Sequence, residues 1–404
     1  MNRRKFLERI GLVGVGSTTF ISQLTNANEH KPQESRATQK TNSDSDHFFG
    51  LIVAAKNASA RDKGAAHYVC NGRNDQNVIN QALADLGSKG GVVHLTPGTY
   101  SCKGAIKMRH RTSLLGSGRA TILKAVGTWT SQDGDQGAVI EPLNARIHKS
   151  RVGFLSINGN RYNGANVQGI YYHINSKGDF DEGSDAIHHF EDIYIYETNQ
   201  HGFHVAGSYM RATKASNIRV YNVGDEGTAE GNKAHGFFIA SPDGMYHQCD
   251  AGSSAGHGFF VDHANNHFTN CKAWYSGLNG WNISSARGMY SVCEAQDNSG
   301  HGFYIDAGPN SLTSCHADSN SWQSDDPSAD FDGFHIPWGE HIQLIACSAY
   351  DKNESHRGHW QRYGFYLGRY AEHVQILGTT IDNNIGSTGG AGITGPTNSV
   401  KVTG

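Results

Sequence analysis

The 404-residue sequence predicts an all-β protein, a single-stranded right-handed parallel β-helix with a short N-terminal capping helix. A unit of 22 residues repeats in the second half of the chain, and each copy contains short stretches in which apolar and polar residues alternate. Alternation with a period of two is typical of strands rather than helices. A unit this short with several strands fits one coil of a solenoid, and successive coils would stack at about 4.8 Å, the spacing between paired strands.

Three rows of residues in one register define the repeat. The glycines of the four regular copies are 22 residues apart, at Gly236, Gly258, Gly280 and Gly302. Cysteines recur at the same interval, at Cys249, Cys271, Cys293 and Cys315, and an alanine follows two residues behind each of them. A fifth aligned copy begins at Asp332-Gly333, and looser copies begin near Gly169, Gly202 and Gly364. A propeller blade needs about 40 residues, and the leucine-rich-repeat signature is absent, so neither architecture fits.

The cysteine row tests this interpretation. In a β-helix the four side chains would lie along one interior line, with parallel side-chain directions that hold the Cβ atoms slightly too far apart for a disulfide. We therefore expect a buried ladder of small apolar side chains. A Cys-x-x-Cys spacing is absent, which argues against a metal site. Cys70 and Cys102 remain candidates for a disulfide in an oxidising compartment.

The first ordered segment predicts the cap of the solenoid. Apolar residues recur at helical spacing from Asp75 to Leu86, and Asn74 or Asp75 can cap the start of that helix. A strand from Gly90 to Leu95 and a turn at Pro97 follow. A helix at this position would cover the exposed end of the first coil.

The N-terminus predicts export. Arg3 and Arg4 open a segment that resembles a twin-arginine signal, and an uncharged stretch follows that is too short for a convincing membrane span. We assign residues 1–27 to the signal peptide, 28–47 to a flexible linker and 48–404 to a catalytic β-helix domain. A twin-arginine substrate is exported folded, so the mature protein is expected in the periplasm or outside the cell. We expect no stable membrane insertion after signal removal.

The family resemblance lies in the same N-terminal region. The run Asn71-Gly72-Arg73-Asn74-Asp75-Gln76, the helix and the following Gly90-Gly91-Val92-Val93-His94-Leu95 resemble the start of the pectate-lyase-like superfamily. The resemblance covers roughly residues 50–404 and implies the fold, but it identifies no specific member. That superfamily includes lyases, hydrolases, uronate epimerases, fructotransferases and phage tailspikes. Neither the Asp-Pro-His-Glu run of alginate epimerases nor the Asn-Thr-Asp motif of polygalacturonases occurs, so the reaction has to be argued from the site.

Among the coils between Gly202 and Gly364, three are longer than 22 residues, with their insertions just before the strand that starts at the repeat glycine. The insertions are residues 225–234, 323–331 and 352–362. Insertions at one point of a solenoid gather on one side and form walls beside the neighbouring strand face. The outward row on that face is rich in rings, which suggests stacking on sugars, although the loops could instead fold over them as a small second core. Its members are Tyr171, His204, Phe238, Phe260, Asn282, Tyr304, His335 and Tyr366.

Two further outward rows contain candidate groups. Asp262 and Asp306 lie two coils apart, about 9.6 Å, which is near the upper end of the separation of an inverting glycosidase pair. They could equally be solvated carboxylates at turns. The row before the glycine contains His201, His235, His257, Asn279 and His301. We favour a hydrogen-bonded corner ladder for this row over a metal site or a proton relay.

The segment from Asp351 to Tyr363 concentrates acids, bases and rings in one wall, although it could be only a solvated loop. Eliminative cleavage of a uronate needs a cation for the carboxylate, a base for the C5 proton and an acid for the leaving oxygen. The catalytic candidates are Tyr304, His335, His359 and Arg362, with Asp262 and Asp306 as the alternative carboxylate pair. The candidates for substrate binding are His204, Glu230, Lys233, Phe238, Phe260, Asn282, Arg357 and Tyr366. We expect His359 and Arg362 to face solvent.

These patterns predict an exported polysaccharide lyase that acts on a uronate-containing polysaccharide. The alternatives are a glycoside hydrolase or glycosyl transferase, such as a fructotransferase, and a non-catalytic glycan-binding protein. The net charge of -3 and the pI near 6.8 do not favour a nucleic-acid partner. We expect no metal or other cofactor; calcium is conceivable, but no calcium-binding motif is present.

Overall fold

The computed structural model describes residues 50–128, 137–163, 165–176, 187–225, 233–321, 331–351, 361–378, 380–382, 393–394 and 400–403. The predicted signal peptide and linker lie outside these residues. The described chain forms a right-handed parallel β-helix, as the sequence predicts. No helix in these ranges is long and apolar enough to cross a membrane.

One sheet of eleven strands takes one strand from each coil, and we call it the site sheet. Every pairing within it is parallel, and each strand except the first and the last lies between the strands of the preceding and following coils. Its strands are Ile106–Met108, Ala138–Pro142, Gln168–His173, Phe203–Ala206, Phe237–Ala240, Phe259–Val261, Trp281–Ile283, Phe303–Ile305, Phe334–Glu340, Phe365–Glu372 and Ile393–Thr394.

The remaining strands belong to a sheet of 22 strands, which takes two strands from each regular coil. Its strands are Leu51–Ala54, Tyr68–Val69, Gly91–Leu95, Gly98–Cys102, Thr112–Leu115, Thr121–Ala125, Arg151–Asn158, His189–Tyr196, Lys214–Val223, Met245–His247, Asp250–Ser254, His267–Thr269, Lys272–Trp274, Gly288–Ser291, Glu294–Gln296, Asn310–Thr313, His316–Asp318, Ile342–Ile345, Ser348–Tyr350, Val374–Leu377, Thr380–Asp382 and Val400–Thr403.

Single left-handed residues turn the chain between the two strands that each coil contributes to the larger sheet. The φ angles at these positions are 51–54°, and the residue that follows each of them is a cysteine of the interior row. They are Gln248, Asn270, Val292, Ser314 and Ala346. Asparagine adopts this conformation readily, whereas a β-branched valine does so only when its surroundings enforce it. The turn therefore belongs to the coil geometry rather than to one residue type.

The glycine and alanine rows of the repeat are in contact inside the coil. A Cβ atom placed on Gly258 would lie 2.6 Å from the Cβ of Ala273 and 2.8 Å from the carbonyl oxygen of Gly280. Similar contacts recur at the glycines of the neighbouring coils. A side chain at these positions would collide with the next coil, which explains why both rows have the same period.

The helix Asp75–Asp85 covers the first coils, and a shorter helix, Ala60–Ala65, and a 3-10 turn, Arg161–Asn163, complete the helical segments described. Asn74 adopts a left-handed conformation and makes no side-chain cap. The carboxylate of the buried Asp75 instead accepts hydrogen bonds from the backbone N–H groups of Gly72 and Ser101, at 2.9 and 2.8 Å. The prediction that Asn74 or Asp75 caps the helix with its side chain is therefore wrong, and Asp75 instead joins the start of the helix to a strand of the solenoid.

The predicted cysteine ladder is present, and it includes a fifth residue, Cys347, in addition to the four predicted ones. Cys249, Cys271, Cys293, Cys315 and Cys347 are all buried and unbonded. The backbone N–H of Cys249 points at the sulfur of Cys271 at 3.4 Å, so neighbouring coils are in direct contact along this row. Cys70 and Cys102 are also buried free thiols, which does not support a disulfide between them.

A second interior ladder is polar. The amide of Asn298 accepts a hydrogen bond from the backbone N–H of Ser276 at 3.0 Å and donates to Asn320 at 2.8 Å. Asn320 in turn donates to the side-chain oxygen of Gln361 at 3.0 Å. The three amide side chains are fully buried, and each coil satisfies the polar groups of the next.

We expect seven thiols to titrate when the protein is unfolded without a reductant, and almost none in the native state, because all seven cysteines are buried. The measurement is an Ellman titration with and without denaturant. Peptide mapping that finds a disulfide between any two cysteines of the ladder would contradict the register.

The substitution Asn298→Ala should lower the free energy of unfolding by about 2–4 kcal/mol, because it leaves buried N–H and C=O groups of neighbouring coils without partners. Chemical denaturation measures the change. Thr269→Ala, at an exposed position of the larger sheet, is the control and should change stability by less than about 0.5 kcal/mol. Equal effects of the two substitutions would refute a stabilising role for the amide ladder.

Candidate functional site

The outward row of the site sheet contains the eight residues that the sequence placed there. Strand pairing aligns Tyr171 through Tyr366 coil by coil, with one residue from each of the eight coils. The rings, however, stack on one another along the solenoid. Phe238 lies 5.0 Å from Phe260, with 4° between their planes, and His335 lies 4.5 Å from Tyr366, with 8° between theirs. The ring faces therefore pack on neighbouring rings, and the row presents mainly ring edges outward, which differs from the exposed faces expected from the sequence.

His204 is among the least accessible members of this row. Its ring packs between Tyr171 and Phe238, at 4.1 and 4.5 Å, and its Nδ1 atom contacts the Gln168 side chain at 2.8 Å. Burial, together with smaller contributions from His201 and His173, lowers the pKa of His204 to about 2, so the ring is neutral. It has little surface to offer a substrate.

The corner row forms the hydrogen-bonded ladder that we favoured. The Nδ1 atom of each histidine accepts the backbone N–H of the corner residue one coil further on, at 2.9 Å for His201 and 3.0 Å for His235. Burial lowers the pKa of His201 and of His257 to about 4. At neutral pH these imidazoles are uncharged acceptors, which suits a structural ladder and not a proton relay.

Asp332 changes the chemistry of this ladder. Its carboxylate is fully buried and accepts the backbone N–H of Tyr363 at 3.1 Å, as the ladder requires. It also accepts two hydrogen bonds of 3.0 Å from the Nε and Nη2 atoms of Arg362. A fourth contact, at 2.7 Å, joins it to Nδ1 of His335. The only acidic residue in the described part of the corner row is thus bound to two catalytic candidates.

His335 is the centre of this cluster. The carboxylate of Asp332 accepts the Nδ1 proton, so the neutral ring keeps Nε2 as its acceptor. Tyr304 and Tyr366 stack on either side of the ring, at 5.5 and 4.5 Å, and the buried His301 stacks on it at 4.0 Å. These contacts fix the plane of the imidazole, and an oriented histidine is suited to general acid–base catalysis.

Arg362 does not simply face solvent, as the sequence suggested. Its guanidinium binds Asp332 and lies 5.1 Å above the ring of Tyr366. Its backbone N–H donates to Phe331 at 2.7 Å. The preceding residue, Gln361, ends the polar ladder and is bonded through its N–H to the buried Asp351 at 2.7 Å. The base of the last long loop is therefore anchored, and the cation has a defined place beside His335.

The ligand atoms of His301, Asp332 and His335 lie within 4.8 Å of one another, the only such group among the described residues that could hold a metal ion. Two contacts compete with that use. The Nδ1 atom of His301 already accepts the backbone N–H of Asp332 at 3.0 Å, and Arg362 engages both carboxylate oxygens. The arrangement therefore fits a guanidinium–carboxylate–imidazole network better than a cation site.

Asp262 and Asp306 lie two coils apart in the next outward row, as expected, with Ser284 between them. Asp262 is the more exposed of the two, although neighbouring groups still cover part of it, and Asp306 is half-buried. Burial raises the pKa of both carboxyl groups. For Asp306, the hydroxyl group of Ser284 opposes that rise, and the charge of Asp262 adds to it. Asp306 also contributes, after burial, to the raised pKa of Tyr304, which places the two groups in one electrostatic environment.

The structure brings together Tyr304, His335, Arg362 and Tyr366. Phe238, Phe260 and Asn282 lie on the same row, towards the first half of the chain, and Lys233 is half-buried near the base of an inserted loop. Glu230, Arg357 and His359 fall outside the described residues. No role was predicted for Asp332, although an acid in a row of four histidines and one asparagine was the signal that could have identified it.

No protein-family model matches the sequence, and no curated protein has significant similarity to it. Solved structures do match. The A-module of the mannuronan C-5 epimerase AlgE4 of Azotobacter vinelandii has a TM-score of 0.66 and 16% identity, covering 82% of this chain and 96% of its own. Tailspike protein 2 of an Escherichia coli O157:H7 bacteriophage has a TM-score of 0.60 and 16% identity, covering 82% of this chain and 44% of its own.

The third structure is DFA-IIIase of Arthrobacter chlorophenolicus A6, with a TM-score of 0.58 and 11% identity over 88% of this chain and 92% of its own. Identities this low establish the fold alone. The chain shares the right-handed parallel β-helix fold with these structures, as the sequence predicted, and the resemblance of its N-terminal motif to the pectate-lyase-like superfamily stays a resemblance.

Proposed function

We propose that this protein is an exported carbohydrate-active enzyme, a lyase that cleaves a uronate-containing polysaccharide by β-elimination. The observation that carries the proposal is the cluster around His335, whose ring is oriented by Asp332, enclosed by Tyr304 and Tyr366, and adjacent to Arg362. A base, a cation and a weak acid on one face are the three groups that the reaction needs.

His335 is the proposed base. Its Nε2 atom takes the proton from C5 of the uronate, and the electron pair left behind forms the C4–C5 double bond. Asp332 holds the ring in the required tautomer and stabilises the imidazolium that forms. A buried carboxylate that accepts hydrogen bonds from several donors is well suited to this role.

Arg362 is the proposed cation for the substrate carboxylate. Neutralising that carboxylate makes the C5 proton more acidic, and a guanidinium binds carboxylates with two parallel hydrogen bonds. Its contacts with Asp332 and the ring of Tyr366 keep the charge next to His335.

Tyr304 is the proposed acid. Burial raises the pKa of its phenol, and Asp306 raises it further, so the group stays protonated across the neutral range. It can give that proton to the oxygen on C4 as the C4–O4 bond breaks. Proton, electron pair and leaving group are then all accounted for without an external reactant.

The names of the similar structures support a carbohydrate substrate. They include an enzyme named as a mannuronan C-5 epimerase, together with a phage tailspike and a DFA-IIIase. Export by the twin-arginine route follows from Arg3 and Arg4 in the proposed signal peptide, residues 1–27, with 28–47 as linker and 48–404 as the catalytic domain.

A second candidate function is hydrolysis or glycosyl transfer by Asp262 and Asp306. The raised pKa of both carboxyl groups favours it, since one of such a pair must stay protonated to act as the acid. Those reactions leave saturated product ends, whereas elimination leaves an unsaturated uronate.

We expect the purified protein to produce unsaturated uronates, seen as ultraviolet absorbance, from at least one of pectate, alginate and hyaluronan. His335→Gln should lower kcat by about 10²-fold or more at unchanged Tm, because an amide can still donate to Asp332 but cannot take up the proton. His341→Gln, an exposed histidine near the end of the same strand, is the control. Equal turnover by both variants would remove His335 from the mechanism.

Asp262→Asn and Asp306→Asn distinguish the two reactions. Under elimination each should reduce kcat by less than about tenfold, since neither carboxylate transfers the proton. Mass spectrometry of the products and initial rates provide the measurement. Saturated products, together with loss of turnover in both variants and its retention in His335→Gln, would replace elimination with the carboxylate mechanism.

A further inference from the structure

One coil lacks a ring in the outward row of the site sheet. Phe260 stacks on Phe238 on one side, and Tyr304 stacks on His335 on its far side, at 5.0 and 5.5 Å. Between Phe260 and Tyr304 the register places Asn282. Two strand spacings separate the two rings by about 9.6 Å, so the space between them is one ring wide, with about 4.8 Å on either side.

The other outward positions of this coil are also small and polar. In the corner row Asn279 stands between His257 and His301, and in the carboxylate row Ser284 stands between Asp262 and Asp306. The coil is thus recessed at three successive outward positions. We call this recess the notch: its walls are Phe260 and Tyr304, and its floor is Asn279, Asn282 and Ser284.

Hydrogen bonds within the coil link the three floor residues to one another. Asn279 donates to the side-chain oxygen of Asn282 at 3.2 Å, and Asn282 donates to the hydroxyl group of Ser284 at 2.9 Å. These bonds direct the amide of Asn282 along its own strand. An amide has two donors and an acceptor with two lone pairs, so the floor can also bond sugar hydroxyl groups.

The charges around the notch are negative. Asp262 and Asp306 stand at its rim, and no lysine or arginine occupies its walls, floor or rim in the part of the chain that the structure describes. Arg362 lies beyond Tyr304, bound beside His335. A uronate would meet like charge in the notch, whereas hydroxyl groups could donate to both carboxylates.

We infer that the notch binds a neutral pyranose of the substrate chain between Phe260 and Tyr304, beside the uronate that His335 and Arg362 engage. A saturated six-membered ring has two C–H faces for the aromatic walls and hydroxyl groups for the polar floor. The inference rests on the proposed function and narrows the substrate class to polysaccharides in which uronates alternate with neutral sugars.

The inference is tested with a variant in which an aromatic side chain occupies the notch. Asn282→Phe supplies the missing ring at a position where the neighbouring coils already have Phe260 and Tyr304, so the fold is retained. The probes are a hyaluronan tetrasaccharide, in which uronate and neutral sugars alternate, trigalacturonate and cellotriose, measured by isothermal titration. Gln343→Phe, which adds the same ring at an exposed position of the larger sheet, is the matched control.

The wild type should bind the tetrasaccharide more tightly than trigalacturonate, and Asn282→Phe should weaken that binding by at least about tenfold, while Gln343→Phe does not. Phe260→Ala should weaken it by a similar factor. Three outcomes would overturn the inference that the notch binds a neutral pyranose. They are unchanged binding of the tetrasaccharide by Asn282→Phe, tighter binding of trigalacturonate than of the other probes, and no binding of any probe. If binding depends on the notch but no unsaturated product forms, the proposed lyase activity is wrong, whereas the proposed sugar binding in the notch is retained.

Discussion

The coil-to-coil register of about 4.8 Å is the constraint on which the rest of this structure depends. It places each residue of one coil directly over its counterpart in the next, so any residue type that recurs every 22 positions becomes a continuous line of contacts. The cysteine row, the glycine–alanine contacts and the buried amide ladder are three consequences. In each line, the residues find their packing and hydrogen-bond partners only in the neighbouring coils. The solenoid is therefore stable as a stack rather than coil by coil.

The candidate site arises where these lines are interrupted. The corner ladder requires only an acceptor for the next backbone N–H, and histidine, asparagine and aspartate can all provide one. Asp332 meets that requirement and in addition carries a charge into a buried position. The charge has to be paired, and Arg362 and His335 are the groups that pair with it. A structural position has thereby become the anchor of an acid–base network.

In the outward row of rings, the interruption is a missing aromatic side chain rather than an added charge. Rings that stack at 4.1–5.0 Å from Tyr171 to Phe260 bury their faces against each other and stiffen the sheet. Where Asn282 replaces a ring, two faces lose their partner, and a ligand can occupy the same spacing. Under the inference drawn for the notch, ring stacking and ligand binding would use the same surface, and the residue in the outward row would decide which of them occurs in a given coil.

The sequence by itself determined the fold, because a solenoid is built from local repeats. The 22-residue period, with its alternation of apolar and polar residues, predicted the parallel β-helix. The recurring rows predicted the thiol ladder and the eight members of the outward row, and the N-terminal motif resembles that of the pectate-lyase-like superfamily. It also grouped Tyr304, His335 and Arg362, since insertions at one point of a coil gather on one side. The roles assigned to all of the site residues stay predictions, and Glu230, Arg357 and His359 also lie outside the described residues.

Only the tertiary structure decided how the side chains are oriented and which groups they contact. The sequence could not show that rings in adjacent coils turn their faces to each other, or that Arg362 bends back onto Asp332 across 30 residues. Nor could it distinguish a histidine that accepts a backbone N–H from one whose Nδ1 is held by a carboxylate. Position along a repeat follows from the spacing of residues, whereas rotamers, protonation and charge pairing depend on contacts between coils, and these form only when the stack is complete.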